Sequence, residues 1–343
     1  MKHIENNTLQ QAENFLENVK KIAIITHFNP DGDAIGSSLA LYHYLLEKEF
    51  DVSVIIPNRA PQFLHWLPGY NKIHVFDEAT DSSKSLINDS ELIFFLDFNV
   101  INRTKEMEKF LKNLPTRKIL IDHHPDPENF ADIIISSTEV SSTSELLYEF
   151  LTSFKVGSEI NVDIAECLYT GVMTDTGSFS YNSSSPDTYF IVSKLIEQGI
   201  DKDKIFWKVY DNYSIDRMRL LGYCLNQKLK VFPEYAAAYI SITRAELDKY
   251  NYEPGDSEGF VNYPLSIKGI VFSVIFIEHE EHIKISFRSK GEFYANHFAM
   301  KHFNGGGHRN AAGGYSDKSL EETLNKFEKE LQIYKEDLLK SRV

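Results

Sequence analysis

Cysteine is nearly absent. Cys167 and Cys224 are the two in 343 residues, too few and too far apart for a disulfide framework or a thiolate zinc site. Both are expected as reduced thiols that help fill a core. Long hydrophobic runs are missing too. No stretch approaches the ~18 apolar residues of a membrane span, and the opening MKHIENNTLQQAENFLENVK lacks the continuous apolar segment of a signal peptide. The expectation is a soluble, cytoplasmic protein without membrane attachment. Basic residues are in deficit: 36 Lys and Arg stand against 50 Asp and Glu, a formal charge of −14. That balance argues against broad binding of long DNA or RNA, which needs a basic face. A small anionic substrate stays open, because bound cations reverse the local sign.

What is present is an ordinary globular mixture, 42% hydrophobic and 25% charged, long enough for two domains. Over the first ~200 residues, short β-type runs alternate with helical patterns. KIAIITH, DVSVIIP, ELIFFLDF and RKILIDHH are apolar and rich in β-branched or aromatic residues, as buried parallel strands are. Ile35, Leu39, Tyr42 and Leu46 recur at helical spacing, and Ser142 with Glu145 has the spacing of a capping box ahead of LLYEFL. The fold class is therefore α/β, a doubly wound, mostly parallel sheet with ligands expected at the carboxyl ends of the strands. From about Pro186 to Lys230 the chain reads helical, with SIDRMRLLGYCLNQKL as a candidate linker helix. Beyond it, YAAAYISI, GIVFSVIFIE and HIKISFRS read as antiparallel strands, followed by a short helix, the glycine cluster FNGGGHRNAAGG and a polar helix from Ser319. The expected domains are a metal-binding catalytic domain at 1–200, a helical linker at 201–230 and a smaller α+β domain at 231–343.

The polar residues that could carry chemistry fall where the apolar strands end. His27, Asp31 and Asp33 follow the first; Asp97 closes LIFFLD; Asp122, His123 and His124 close KILID; Asp175 sits in GVMTDTG. Taken singly, each has an ordinary reading. Asp31 or Asp33 alone is a helix cap, Asp97 a turn residue, the histidines a surface pair. All four clusters at successive segment ends are harder to explain that way. On one rim they would repel one another unless cations neutralised them. Four carboxylates balance two divalent ions, and the set His27, Asp31, Asp33, Asp97, His123 and Asp175 suits Mn²⁺ or Mg²⁺ better than a thiolate-loving metal. Such a pair of ions activates a water and clamps a phosphoryl oxygen, and the helix starting near Asp33 would point its anion-favouring end at the site.

HFNPDGDAIGSSLAL, LDFNVINR, IDHHPD and LYTGVMTDTGSF resemble the four motifs of the DHH phosphoesterase superfamily, and ISFRSKG with FNGGGHRNAAGG resembles its DHH-associated C-terminal domain. Within it, the chain is most similar to NrnA-type proteins, bifunctional oligoribonucleases and 3′-phosphoadenosine-5′-phosphate (pAp) phosphatases. The resemblance implies that His27 and Asp31 hold one metal, that Asp33, His123 and Asp175 hold the other, and that Asp97 bridges them. His124 would contact the scissile phosphate, and Asp122 would orient its neighbours. Arg288, Ser289 and His308 would hold the substrate's terminal phosphate or nucleotide, with Gly305, Gly306 and Gly307 letting backbone N–H groups approach an anion. Arg103 either reaches the phosphate or pairs on the surface.

The resulting expectation is a two-metal phosphohydrolase, Mn²⁺ preferred, acting on short oligoribonucleotides and on nucleotide bisphosphates such as pAp. Linear or cyclic dinucleotides are the alternative substrates, pyrophosphate or polyphosphate a weaker one, and a non-enzymatic nucleotide sensor weaker still. A homodimer is a reasonable expectation that the sequence leaves open, as it leaves open which aromatic residues stack a base.

Overall fold

Residues 3–153 and 159–342 are described in the computed structural model of the chain. The chain divides into two compact units, Met1–Asn212 and Tyr213–Val343. The first contains α1 (Asn6–Leu16), β1 (Lys21–Ile25), α2 (Gly32–Glu47), β2 (Asp51–Ile56), β3 (His74–Val75), α3 (Thr80–Asp89) and β4 (Leu92–Leu96). It continues with α4 (Glu108–Lys112), β5 (Arg117–Asp122), β6 (Ile133–Ser136), α5 (Thr143–Ser153), α6 (Val162–Asp175), α7 (Pro186–Glu197) and α8 (Lys202–Tyr210).

The first sheet runs β3-β2-β1-β4-β5-β6 with every pairing parallel. Side chains alternate between its faces, and both faces are apolar. Ile22, Ile24, Leu92, Phe94 and Leu96 join a core with residues of α2, α5 and α6. Ala23, Ile25, Ile93 and Phe95 join a second core with Ile87 and Leu111 of α3 and α4. This is why the strands read as unbroken apolar runs. The chain builds outward from β1 through β2 to β3, then returns to β4 on the other side. The strand order therefore reverses between β1 and β4, the place where sheets of this kind open a crevice for ligands.

The second unit contains α9 (Ile215–Tyr223), β7 (Leu229–Phe232), β8 (Ala237–Ile242), α10 (Arg244–Lys249), β9 (Phe272–Glu278), β10 (Ile283–Ser289), α11 (Ala295–His302), β11 (Gly306–His308), β12 (Ala311–Ser316), α12 (Leu320–Ile333) and α13 (Lys335–Lys340). Its sheet, in order β11-β12-β10-β9-β8-β7, has an aromatic core on one face, around Phe272, Phe276, Phe287, Phe298 and Phe327, and an aliphatic core on the other, around Ile240, Ile275 and Leu220.

One expectation changes. The strands of the second unit are not all antiparallel, because β8 pairs with β9 in parallel. The long connection through α10 supplies the crossover a parallel pair requires. The glycine cluster forms the hairpin β11–β12 on the sheet edge. The stretch 201–230 is shared between the units: α8 closes the first, α9 opens the second, and a π-helical turn at Cys224–Lys228 leads into β7. Both cysteines are free and buried. No described helix is long and apolar enough to cross a membrane.

Candidate metal centre

The ends of β1, β4 and β5 meet at the point where the strand order reverses, and each carries its polar residues there. After β1 the chain turns through Asn29, which adopts the left-handed conformation at φ 55°. The turn is held by Phe28 N–H donating to the Arg103 carbonyl at 2.8 Å and by paired amide contacts between Asn29 and Asn58. Asp31 then caps α2, one carboxylate oxygen accepting from the N–H groups of Asp33 and Ala34 at 3.1 Å each. The ordinary reading of Asp31 as a cap is correct. It coexists with a place in the cluster, since the same oxygen lies 4.0 Å from His27 Nε2.

Helices α2 and α6 pack closely through glycines. A Cβ on Gly36 would sit 3.0 Å from the backbone nitrogen of Gly171, and one on Gly171 would meet Asp33 Oδ1 at 2.7 Å. This close approach brings Asp33, at the start of α2, beside Asp175, the last residue of α6.

Several groups of donor atoms within 4.8 Å of one another result, and two of them share no residue: His27, Asp31 and Asp97, and Asp33, His123 and Asp175. Asp97 stands between them. Its Oδ2 lies 3.5 Å from His27 Nε2 and its Oδ1 lies 3.6 Å from His123 Nε2. His123 Nε2 is also 3.4 Å from Asp175 Oδ2 and 3.9 Å from Asp33 Oδ2. His27, Asp33, Asp97 and His123 are buried, Asp31 is exposed and Asp175 is half-buried.

The chemistry of this donor set fits cations. His27 Nδ1 faces the Phe28 carbonyl at 2.9 Å; a carbonyl only accepts, so the proton is assigned to Nδ1 and Nε2 presents a lone pair. That Nε2 is buried without a hydrogen-bond partner and faces carboxylate oxygens, lone pair against lone pairs. A proton would satisfy it poorly: burial, then the Arg103 guanidinium, hold the His27 pKa down at about 4. Burial likewise pushes the carboxyls of Asp33 and Asp97 well up, with Asp97 adding to the effect on Asp33, and Asp31 and Asp175 to that on Asp97. A divalent ion in each set would satisfy the orphaned nitrogen and relieve the crowding of acids. With oxygen and imidazole donors and no thiolate, the set suits hard or borderline metals.

Beside these sets lies a hydrogen-bonded row. Asp122, fully buried, accepts from His124 Nδ1–H at 2.7 Å and from its backbone N–H at 3.1 Å. His124 Nε2 in turn accepts from Arg103 Nη1 at 2.9 Å. Arg103 thus joins the row beside the two sets.

Sequence reasoning placed the start of α5 but missed its hold on the site. The Thr143 and Ser144 N–H groups donate to the two oxygens of Asp33 at 2.7 and 2.9 Å, and Thr143 Oγ1 donates to Asp97 Oδ1 at 2.9 Å. One helix end therefore fixes a carboxylate of each set. The run Ser141-Ser142-Thr143-Ser144 was a visible signal of a helix start, but nothing in it said which acids it would hold. The capping pair is also shifted by one residue. Ser142 Oγ accepts from Glu145 N–H, whereas the Glu145 carboxylate takes its bond from the N–H of Ser141.

In the second unit, Arg288, the next-to-last residue of β10, has its Nε buried and without a hydrogen-bond partner, while Nη1 donates to the Phe287 carbonyl at 3.0 Å. Ser289 is buried, and its hydroxyl donates to the Phe293 carbonyl and accepts from Asn310, so it supports that loop from within. Gly305 packs against the Gly313 carbonyl and Ala299, which accounts for its lack of a side chain. Gly306, Gly307 and His308 form β11.

The fold and the site together define a two-unit α/β protein with a carboxylate–imidazole centre at its sheet's switch point. Residues 21–172 match the DHH family, N-terminal domain, and residues 233–335 match the DHHA1 domain. The chain belongs to the DHH family of metal-dependent phosphoesterases. It is 28% identical to the bifunctional oligoribonuclease and PAP phosphatase NrnA of Bacillus subtilis (strain 168), over 85% of this chain and 88% of that protein. The crystal structure of an exopolyphosphatase-related protein from Bacteroides fragilis superposes with a TM-score of 0.94 at 47% identity, covering 98% of this chain and 99% of that one. RecJ from Thermus thermophilus, in complex with Mn²⁺, shares the fold at a TM-score of 0.58 and 13% identity, covering 97% of this chain and 55% of that one.

Proposed function

We propose that this protein is a cytoplasmic two-metal phosphohydrolase that degrades short oligoribonucleotides to mononucleotides and removes the 3′-phosphate of pAp. The observation that carries the reading is Asp97, a buried carboxylate with one oxygen toward each of two imidazole–carboxylate sets. His27 and Asp31 would hold one ion, Asp33, His123 and Asp175 the other, and Asp97 both, with Mn²⁺ preferred. Bound there, the ions would supply Lewis-acid polarisation of a phosphoryl oxygen and an activated water at neutral pH.

The chain's own residues do the rest. Asp122 fixes the ring of His124, whose Nε2 accepts from Arg103 and so orients the guanidinium toward the place where a phosphoryl group would sit. The guanidinium has further N–H groups to offer an oxyanion there. The start of α2 adds its favourable end for negative charge. In the second unit we assign Arg288 and His308 to the terminal phosphate or nucleotide, supported by the unpartnered Nε of Arg288. A net charge of −14 favours short substrates, because it offers no long basic track for a polymer.

A second reading, polyphosphate or pyrophosphate as substrate, is favoured by the name of the Bacteroides fragilis relative. One assay separates them: protein with Mn²⁺ against end-labelled RNAs from dinucleotides to long oligomers, linear dinucleotides, pAp, pyrophosphate and polyphosphate. Mononucleotides from the shortest RNAs and phosphate from pAp are expected. Asp97→Asn is the matched control, since Asn tolerates the left-handed backbone at φ 67°, and it should abolish turnover. Hydrolysis of polyphosphate without RNA would favour the second reading, and full turnover by Asp97→Asn would remove both.

A further inference from the structure

Immediately after Asp175 the backbone enters a conformation that L-residues avoid. Gly177, Ser178 and Phe179 are all left-handed, at φ 52°, 54° and 63°, and Asn182 follows at 48°. For a non-glycine residue this costs about 1–2 kcal/mol, and such strain persists where the surroundings over-determine it. Here they do. Phe179 N–H donates to Thr176 Oγ1 at 3.1 Å, Tyr181 N–H to the Thr176 carbonyl at 3.1 Å, and Ser183 Oγ to the Phe179 carbonyl at 3.1 Å. Asn182 Nδ2 ties the segment to the Ser141 carbonyl at 3.1 Å, two residues before the helix start that holds Asp33 and Asp97.

The twist sends two aromatic rings to different places. Phe179 is turned inward, between Tyr169 and Tyr189 at centroid distances of 6.2 and 6.0 Å. Tyr181 keeps 44% of its surface exposed. Its ring lies against the backbone of Gly177, where a Cβ would meet Tyr181 Cζ at 2.6 Å. Gly177 is two residues from Asp175, so its Cα lies within about 7 Å of that of Asp175. An exposed aromatic ring is therefore seated on a strained, well-bonded turn that begins two residues after Asp175.

We propose that Tyr181 is a stacking platform for a nucleobase of the substrate. The inference rests on the nucleotide reading above and deepens it, since a base has a π-face whatever its identity whereas polyphosphate has none. The left-handed turn Gly177–Phe179 holds the ring in place before the base arrives, so that little side-chain freedom is lost on binding.

The test uses the full chain with Mn²⁺ and three substrates: an RNA dinucleotide, its abasic analogue, and a dinucleotide carrying 2-aminopurine, whose fluorescence is quenched by stacking. Tyr181→Leu is expected to raise the KM for the dinucleotide by roughly ten- to hundredfold with kcat within about twofold, to relieve the quenching, and to leave Mn²⁺ binding unchanged. Tyr181→Phe should behave as the wild type, and the abasic analogue should not distinguish the variants. An unchanged KM in Tyr181→Leu, or an equal loss on the abasic analogue, overturns the proposal. So does failure of Tyr181→Phe to restore binding, because the hydroxyl would then be responsible. If the wild type neither binds nor cleaves dinucleotides, the nucleotide reading falls and the platform with it. If it cleaves them while Tyr181→Leu is unaffected, the platform alone falls.

Discussion

His27 shows how one hydrogen bond sets the chemistry of a residue. Donation from Nδ1 to the Phe28 carbonyl leaves Nε2 as a buried lone pair among carboxylates, and that arrangement makes sense with a cation present. Asp97 shows the complementary point: its left-handed backbone turns the side chain back over the end of β4, where it stands between both sets. Thr143 is the residue that fixes it. Thr143→Val removes the hydroxyl bond to Asp97 but keeps the N–H bond to Asp33, so it should weaken Mn²⁺ binding by about 10- to 100-fold with the fold intact. Thr143→Ser should restore it. Titration of Mn²⁺ by electron paramagnetic resonance reads this directly, and equal affinities in Thr143→Val and wild type would show the hydroxyl to be dispensable. The acids and histidines of the two donor sets were visible in the sequence at the ends of the apolar runs. Thr143 was not, because a hydroxyl in a serine-rich helix start looks the same whether it meets water or a buried acid.

Elements were legible where the pattern was long. Strands β1, β2, β4 and β5 fall on the four apolar runs, since strands buried on both faces need apolar residues at every position. β3 and β6 escaped notice: His74–Val75 is two residues long and Ile133–Ser136 is four, too short for a period to emerge. The parallel pairing of β8 and β9 was hidden for another reason, as strand direction is set by the path of the connection and not by strand composition. Helix α10 supplies a testable case of local design. Thr243 and Glu246 form a reciprocal capping box, and the Glu246 carboxylate also accepts from Tyr223 and Lys228. Burial alone would raise its pKa, but these bonds outweigh burial and hold it at about 2. Because the folded value lies below the unfolded ~4.3, the stabilisation is present above about pH 4 and disappears as the pH falls toward 2. Glu246→Gln should therefore cost about 1–2 kcal/mol at pH 7, with the difference from wild type closing over that acid window. Denaturant unfolding at a series of pH values measures it, and a difference that does not vary with pH would place the effect in packing.

At the scale of the whole chain, each unit has its own sheet and its own pair of cores. The proposed metal ligands all belong to the first, so ion binding should stabilise that unit by mass action and leave the second alone. At a metal concentration a hundredfold above Kd the gain is about 2.7 kcal/mol. Chelation should then raise hydrogen exchange of the most protected amides of β1, β4 and β5 by about a hundredfold, with those of β9 and β10 unchanged. Uniform change across both sheets would mean that the two units unfold as one. Net charge acts at this scale as well: −14 is consistent with cations at the site and with substrates carrying few phosphates.

The sequence by itself determined the class of fold and the chemical character of the site, because both are written in local pattern: apolar runs of strand length, helical spacing, and acids and imidazoles placed at the ends of those runs. It also carried the family, through motifs in order along the chain. Tertiary structure alone decided which atoms face which. The proton on His27 Nδ1, the place of Asp97 between two sets, the row Asp122–His124–Arg103, the hold of Thr143 on two acids and the seat of Tyr181 against Gly177 all join residues distant in the chain or depend on backbone angles. Such contacts are fixed by how helices and sheet pack, and packing is a property of the assembled core that no local stretch contains.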